Sequence, residues 1–248
     1  MKGQLLDMHI ETEAIVLKSV KYSESDSILT LFTRKLGKVT AVAKGARRSK
    51  SMLMPCSQVF AYGTYMLYKS SSMYRVNQCD LKENFFGISR DMNLLSHAAY
   101  IAKLTRNSIV ENQTNNRLFG LLLKTLYCYG YRDYDVEYIT RIFELKYLEY
   151  LGYRPQMNAC VNCQSHDEKT YRISIRLGGV LCSDCLPFDP RAERVDRTTV
   201  ELMKYIIEDS FERCVKARVS PIILKELKRV LKLYMYENIE GYEEYRQY

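Results

Sequence analysis

The stretch SILTLFTRKLGKVTAVAK, residues 27–44, decides the fold of the N-terminal part of the chain. Its two arms, 27–33 and 38–44, are rich in Ile, Val, Thr and Phe, and Leu36-Gly37 lies between them as turn material. Three more runs of this kind cover residues 11–18, 58–68 and 73–81. Because no helical pattern separates the five runs into βαβ units, the sequence predicts a small closed barrel, of which the OB-fold is the common five-stranded example.

From about Asp91 the apolar period changes. Met92, Leu95, Ala99 and Ala102 recur at helical spacing and predict a helix to about Val110. Further apolar stripes predict helices over 117–129, 136–150, 200–211 and from Ser220-Pro221 onward. We therefore predict an α+β protein with an OB-fold barrel over 1–82 and an all-α domain over 83–248. A zinc-ribbon-like insertion at about 157–188 interrupts the helical domain.

Two cysteine pairs in this insertion predict a metal site. Cys160 and Cys163 are followed, after eighteen residues, by Cys182 and Cys185. This spacing is typical of a four-thiolate zinc site, in which two tight turns direct four sulfurs to one ion. Since four protein ligands leave no open position, we predict one structural Zn²⁺. Disulfides or an iron–sulfur cluster are the alternatives, and the nearby His166 is a further possible ligand.

The composition limits the class of protein. With 47% hydrophobic and 27% charged residues among 248, the chain is globular. Residues 1–13 contain no secretory signal pattern, and the uncharged stretch 51–68 contains Pro55 and Gly63, so we predict β structure there and no membrane span. Metal-type cysteine pairs favour a reducing cytosol. The other four cysteines are expected to pack singly as small hydrophobic residues: Cys56, Cys79, Cys128 and Cys214.

The net charge of +8 is concentrated near the N-terminus. Residues 27–79 contain nine basic side chains and no acidic one. Such a surface attracts polyanions, although a solubilising role is the simpler alternative. The predicted DNA-binding residues are Arg34, Lys35, Lys38, Lys44, Arg47, Arg48 and Lys50. Nearby aromatic residues would either stack on bases or fill the barrel: Phe60, Tyr62, Tyr65, Tyr68 and Tyr74.

The sequence gives little support for catalysis or for a small-molecule substrate. His9, His97 and His166 lie far apart, and no phosphate-binding loop, G-x-S-x-G or H-E-x-x-H motif occurs. Glu24 and Asp26 are close in sequence, but in a turn they are expected to hydrogen-bond the loop rather than to act as an acid–base pair. We predict that the protein is not an enzyme.

Several blocks resemble the bacterial RecO family of recombination mediators along nearly the full chain. They are Glu13-Ala14-Ile15-Val16-Leu17, Tyr22-Ser23-Glu24-Ser25-Asp26, Ala43-Lys44-Gly45-Ala46-Arg47, and Leu151-Gly152-Tyr153-Arg154-Pro155 followed by the two cysteine pairs. The resemblance implies an OB barrel, a helical domain and a zinc knuckle. It also implies that basic residues of the barrel carry part of the DNA contact, which matches Lys35, Lys38, Lys44, Arg47 and Arg48 here.

The function implied by this resemblance is DNA repair through the RecFOR pathway in the bacterial cytoplasm, at the nucleoid. Family members bind single- and double-stranded DNA, anneal complementary strands and cooperate with RecR. Together with RecR they help to load RecA onto DNA coated by single-stranded-DNA-binding protein (SSB), whose C-terminal tail contacts the helical domain. The alternative is a zinc-stabilised adaptor for RecR and SSB in which DNA contact is secondary.

Overall fold

The computed structural model describes residues 9–70, 73–131, 134–166 and 172–242. The chain divides into two compact units, residues 1–131 and residues 132–248. The predicted domain boundary at 82/83 separates the barrel from the helices that follow it, whereas the first compact unit contains both. No helix in the described part of the chain is long and apolar enough to cross a membrane.

Five strands form the closed barrel of the first unit, in the order β1-β2-β3-β5-β4. All neighbours are antiparallel except β3 and β5, and pairing of β1 with β4 closes the barrel. This is the predicted OB-like architecture. The strands are β1 (His9–Lys21), β2 (Ser27–Thr33), β3 (Gly37–Ala43), β4 (Tyr62–Lys69) and β5 (Tyr74–Glu83).

Alternation along the strands fills the barrel interior. In β3, for example, Val39 and Ala41 are buried while Lys38 and Thr40 lie on the outer face. Tyr65 is fully buried, and its hydroxyl donates to the carbonyl oxygen of Cys56 at 2.7 Å. Three of the aromatic candidates are buried and cannot stack on bases: Phe60, Tyr62 and Tyr65, of which Tyr65 lies in the barrel core. Tyr68 and Tyr74 are partly exposed.

The uncharged stretch 51–68 is β structure only from Tyr62 onward. A short helix, α1 (Leu53–Cys56), precedes it, because Pro55 has no N–H to donate to a strand ladder. This helix places Cys56 in the barrel core, where it forms a disulfide with Cys79, the two Cα atoms being 6.4 Å apart. The expectation that these two cysteines pack in the core is correct, but the expectation that they are single is wrong. Cys128 and Cys214 are not in a disulfide.

Three helices complete the first unit: α2 (Phe86–Ser89), α3 (Met92–Ser108) and α4 (Asn116–Tyr131). Asp91 caps α3 by accepting hydrogen bonds from the N–H groups of Asn93 and Leu94. Helix α4 packs on the barrel through Phe119, whose ring lies 5.3 Å from that of Phe32. The segment between α3 and α4 crosses the barrel at Gly37, where a Cβ atom would lie 2.0 Å from the carbonyl oxygen of Gln113.

The second unit contains four α-helices and a small sheet. Its helices are α5 (Val136–Tyr150), α6 (Arg197–Glu208), α7 (Phe211–Cys214) and α8 (Pro221–Asn238). Ser220 caps α8 as predicted, and Gly152 follows α5 with φ +93°. The predicted helix 200–211 is wrong at its end. Asp209 is extended after α6 and Phe211 begins a separate turn, so two elements replace one.

Candidate metal centre and nucleic-acid interface

The four predicted ligand cysteines come together in the second unit. All four Sγ atoms lie within 4.8 Å of one another, and those of Cys163 and Cys182 are 3.6 Å apart. A tetrahedral ion with metal–sulfur bonds of about 2.3 Å requires sulfur–sulfur distances of about 3.8 Å. The donor set therefore fits one ion held by four thiolates. None of the four cysteines is in a disulfide, which removes that alternative.

Backbone hydrogen bonds hold the first cysteine turn against a hairpin. The hairpin consists of β6 (Arg172–Ser174) and β7 (Gly179–Leu181), and β8 (Glu193–Arg194) also pairs with β6. Val161 donates its N–H to the carbonyl oxygen of Val180 at 2.9 Å. A Cβ atom on Gly179 would lie 2.1 Å from the carbonyl oxygen of Gln156, so glycine allows this close approach. A short hairpin therefore lies between the two cysteine pairs.

Ionisation of the thiols is uneven. Burial opposes the Cys160 thiolate, but N–H groups of Cys163, Cys182 and Asn162 lower its pKa to about 6. For Cys182, burial and hydrogen bonds with the other thiols raise the pKa to about 12. Four thiolates at these distances would repel one another, and a bound metal ion would offset their charge.

Groups around the cysteines also limit the ligand set. The side chain of Asn162 donates to Cys185 Sγ at 3.3 Å. His166 is not in the ligand cluster, because its Nδ1 lies 3.0 Å from the carbonyl oxygen of Asn158 and the cluster consists of four cysteines. Four sulfurs surround the site, and no imidazole takes part among the described residues.

Among the seven predicted DNA-binding residues, Arg34 is engaged in a network with neighbouring side chains. Its Nε lies 2.5 Å from Glu13, and its guanidinium stands 4.4 Å over the ring of Phe119. Glu13 also accepts hydrogen bonds from Lys82 and Tyr62, each at 2.6 Å. Hydrogen bonds from Lys82, Tyr62 and Arg34 outweigh the burial of the carboxylate and lower the pKa of Glu13 to about 2. Arg34 therefore serves the barrel more directly than it serves a ligand.

Four of the remaining cations lie in one exposed segment after β3, which we name the basic loop, residues 44–50. Its cations, all exposed, are Lys44, Arg47, Arg48 and Lys50. Lys35 is exposed in the β2–β3 turn, and Lys38 is the second residue of β3, at the opposite end of the strand from the basic loop. A strand rises about 3.3 Å per residue, so the six residues from Lys38 to Lys44 span about 20 Å.

The turn 22–26 holds the basic loop in place. Asp26 accepts a hydrogen bond from the N–H of Gly45 at 2.8 Å, and this bond, with a second from Ser25, lowers the pKa of Asp26. Arg47 donates its N–H to the carbonyl oxygen of Ser25 at 2.9 Å and its guanidinium to that of Ser23 at 3.1 Å. The expectation that Asp26 hydrogen-bonds its loop is confirmed.

Sequence reasoning missed three cations near Lys38: Lys18, Lys69 and Arg106. The ammonium group of Lys38 donates to the carbonyl oxygen of Arg106 at 3.0 Å, although the two residues are 68 positions apart. Alternation along β1 would place Lys18 on the same face as the core residues Ala14 and Val16, and it is the bulge between Val16 and Lys18 that turns Lys18 outward. No local pattern reveals that the end of α3 returns to β3.

Comparisons with known proteins agree with this architecture. The family model described as "Recombination protein O N terminal" matches residues 8–85, and "Recombination protein O C terminal" matches residues 89–245. The DNA repair protein RecO of Alkaliphilus metalliredigens is 40% identical over 94% of this chain and 95% of its own length. RecO of Acetivibrio thermocellus is 35% identical, over 94% of this chain and 92% of its own. The chain therefore belongs to the RecO family of DNA repair proteins.

Proposed function

We propose that the protein is a non-enzymatic recombination mediator that binds single- and double-stranded DNA and anneals complementary strands. In this role it acts in the bacterial cytoplasm at the nucleoid, and with RecR it helps to load RecA onto SSB-coated DNA, contacting the SSB C-terminal tail. The observation that carries the proposal is the basic loop: four exposed cations held at one end of an OB-like barrel, in a member of the RecO family.

The chemistry of the basic loop suits a phosphate backbone better than a base-reading site. Its side chains are Lys and Arg, and the loop is fixed to the turn 22–26 through backbone atoms and Asp26. Cations that neutralise phosphates release counterions, so affinity should fall steeply with salt and depend little on sequence. Annealing requires two repelling strands to approach while their bases stay free, and shallow phosphate contacts meet both conditions.

We propose in addition that the four-cysteine site holds one structural Zn²⁺. Cys160, Cys163, Cys182 and Cys185 would hold it, and the ion would supply the positive charge that lets four neighbouring thiols ionise together. All four ligands come from the protein, so the site orders the region between α5 and α6 and leaves no position for a substrate.

Fluorescence anisotropy of a labelled single-stranded oligonucleotide, titrated across a salt series, tests the DNA-binding proposal. We expect binding that weakens steeply with salt and a reduced salt slope in the double variant Arg48→Ala/Lys50→Ala. A matched control, Lys225→Ala/Lys232→Ala, removes two exposed charges from α8 in the second unit and should leave the slope unchanged. Absence of binding at low salt would contradict the proposal.

The adaptor alternative is separated by a second readout on the same variants. If DNA contact is the main role, Arg48→Ala/Lys50→Ala should lose oligonucleotide affinity and still capture RecR and SSB. If the barrel charge serves docking instead, partner capture should fall while oligonucleotide affinity stays constant.

A further inference from the structure

The disulfide between Cys56 and Cys79 has no part in the metal centre or in the basic loop. Cys56 is the last residue of α1 and lies in the barrel core, where it is 2% exposed. Cys79 lies in β5 and is only partly buried. The bond joins two elements across 23 positions of sequence, so it closes a loop that includes all of β4.

The β3–β4 segment, which we define as residues 44–61, is held at both ends by hydrogen bonds. At its start, Asp26 accepts a hydrogen bond from the Gly45 N–H at 2.8 Å. At its end, the Phe60 N–H donates to the Val16 carbonyl oxygen at 2.8 Å. The basic loop occupies the first part of this segment, and α1 lies in the second.

The middle of the β3–β4 segment is attached to the barrel through Cys56. Its carbonyl oxygen accepts a hydrogen bond from the Tyr65 hydroxyl at 2.7 Å, and its sulfur is bonded to Cys79. Tyr65 and Cys79 lie directly opposite each other in the β4–β5 ladder, so both contacts reach the same point of the barrel. When the sulfur–sulfur bond is broken, the Tyr65 hydrogen bond and apolar packing still attach α1 to the barrel.

We propose that Cys56 and Cys79 form a reversible redox switch, which fixes α1 to β5 when oxidised and releases it when reduced. The inference goes beyond the proposed function and takes from it only the reducing compartment. A protein that holds four cysteines as metal ligands works where thiols persist, and a disulfide forms there only when the thiol pool becomes oxidised. The pair is then a dithiol under reducing conditions and a disulfide under oxidising ones.

The geometry of the pair accommodates both states. The two Cα atoms are 6.4 Å apart, within the range of about 4.4–6.8 Å in which cysteines are bridged without movement of the backbone. In the reduced state the Cys56 thiol has an acceptor, because its Sγ lies 3.8 Å from the Cys79 carbonyl oxygen. Reduction therefore requires no rearrangement of the barrel core.

Exchange with a small-molecule disulfide, RSSR, forms the bond. Because Cys79 is the more exposed of the two, its thiolate attacks one sulfur of RSSR, breaks the RS–SR bond and releases RS⁻. The Cys56 thiolate then attacks the Cys79 sulfur of this mixed disulfide and releases the second RS⁻. Each RS⁻ takes up one of the two protons given up by the cysteines, so the protein loses two electrons and RSSR is reduced to two RSH. An excess of RSH reverses both steps.

Oxidation restrains the second part of the β3–β4 segment. Detachment of α1 from β5 requires the Cys56 sulfur to move away from Cys79, which the disulfide prevents. In the reduced protein the same detachment breaks only the Tyr65 hydrogen bond and apolar contacts, so it occurs more often. Because α1 begins three positions after Lys50, the end of the basic loop is restrained together with the helix.

The first experiment follows the bond itself in the full-length protein. Trypsin releases Cys56 in the peptide 51–69 and Cys79 in the peptide 76–82, and neither peptide contains another cysteine. Protein equilibrated in mixtures of oxidised and reduced glutathione is quenched with acid, alkylated, digested and analysed by mass spectrometry. We expect the two peptides to be linked in oxidised mixtures and separately alkylated in reduced ones, with conversion in both directions in one sample.

Hydrogen exchange measures the consequence for α1. Reduction should raise the exchange rate of the amides in residues 51–58 by about tenfold or more, and α3 should be unchanged as an internal reference. Cys79→Ser should show the fast rate in both mixtures, because it cannot form the bond. Cys128→Ser is the matched control. It removes a cysteine that is not in a disulfide, so it should respond as the unaltered protein does.

Three results would overturn the switch. If the two peptides stay separately alkylated in every glutathione mixture, the bond does not form. If the link survives in reduced glutathione alone, the bond is a permanent part of the barrel. If residues 51–58 exchange at the same rate in both mixtures, the bond has no effect on α1. Each of these results can occur in a protein that binds oligonucleotides, so the proposed function is decided separately by the anisotropy titration.

Discussion

The four-cysteine site and the cationic face of the barrel hold their polar groups in opposite ways. At the cysteine site four sulfurs lie within 4.8 Å of one another, three of the four residues are buried, and backbone hydrogen bonds fix the turns. On the barrel the cations are exposed and spread over about 20 Å of β3 and its neighbours. The first arrangement fits a single ion, and the second fits a polymer with repeating charge.

This difference predicts different consequences of mutation. The four-cysteine site should lose its metal ion when one thiol is removed. The fold around the site is then destabilised, because the metal contributes to folding. A dispersed site loses affinity in increments, one phosphate contact at a time, while the fold is unaffected. The variants below test each half of that comparison, beginning with the largest expected effect.

Cys160→Ser should remove the metal and destabilise the second unit. Cys160 is buried, and its loss leaves three thiols that cannot hold the ion in a closed tetrahedron. We expect a loss of about 3 kcal/mol or more, which corresponds to about 6–12 °C in melting temperature. Bound metal is measured by elemental analysis, and melting by circular dichroism.

The control for this variant is Cys128→Ser, which changes a cysteine outside the cluster. It should retain the full metal content, and oligonucleotide affinity of the folded fraction should be close to normal in both variants. A Cys160→Ser protein with unchanged metal content and unchanged melting temperature would contradict a four-thiolate structural site.

The same contrast explains what the sequence reveals. The cysteine site follows from two local turns, since two residues between cysteines direct both sulfurs to one point, and the structure confirms the cluster. The strands follow from local runs of β-branched residues, with 27–33 matching in full. Among the elements that sequence reasoning placed wrongly, α1 depends on how Pro55 breaks a run that otherwise resembles a strand.

Contacts between distant residues could not be predicted in this way. Arg34, one of the predicted DNA-binding residues, is drawn into the network of Glu13, a partner 21 residues earlier in the chain. The disulfide of Cys56 and Cys79 joins a short helix to β5 across 23 residues. The hydrogen bond from Lys38 to the Arg106 carbonyl oxygen needs the chain to return from α3 to β3, and nothing near Lys38 in sequence indicates that return.

Gly37→Ala should lower the free energy of unfolding by displacing backbone, without removing any charge. The glycine has φ +66°, and an added Cβ would lie 2.0 Å from the Gln113 carbonyl oxygen, so the segment after α3 must move away from β3. We expect a loss of about 2–3 kcal/mol in the free energy of unfolding. Urea denaturation measures this loss.

Gly120→Ala is the matched control, because a Cβ there meets no atom within 4 Å and the residue lies inside α4. Alanine in a helix interior should be neutral or stabilising by up to about 1 kcal/mol. If Gly37→Ala were as stable as Gly120→Ala, the close crossing of the segment over Gly37 would be wrong.

Glu13→Gln should have the smallest effect and should separate the structural cations of the barrel from the exposed ones. Hydrogen bonds from Lys82, Tyr62 and Arg34 lower the pKa of Glu13 from 4.5 to about 2. The charged carboxylate therefore stabilises the folded state above pH 4.5, and this contribution disappears as the pH falls from 4.5 towards 2. Because the network is partly exposed, we expect about 1–2 kcal/mol at pH 7.

The sign of the pH dependence makes this prediction specific. The loss of stability in Glu13→Gln should be full at pH 7 and smaller at pH 3, because the unaltered protein itself begins to lose the Glu13 charge at pH 3. Urea denaturation at both pH values measures the difference. Glu11→Gln, an exposed position on the same strand, should show no deficit at either pH. A deficit equal at both values would mean that Glu13 acts through packing. Oligonucleotide affinity should be unchanged in Glu13→Gln if Arg34 and Lys82 stabilise the barrel through Glu13 and do not contact DNA.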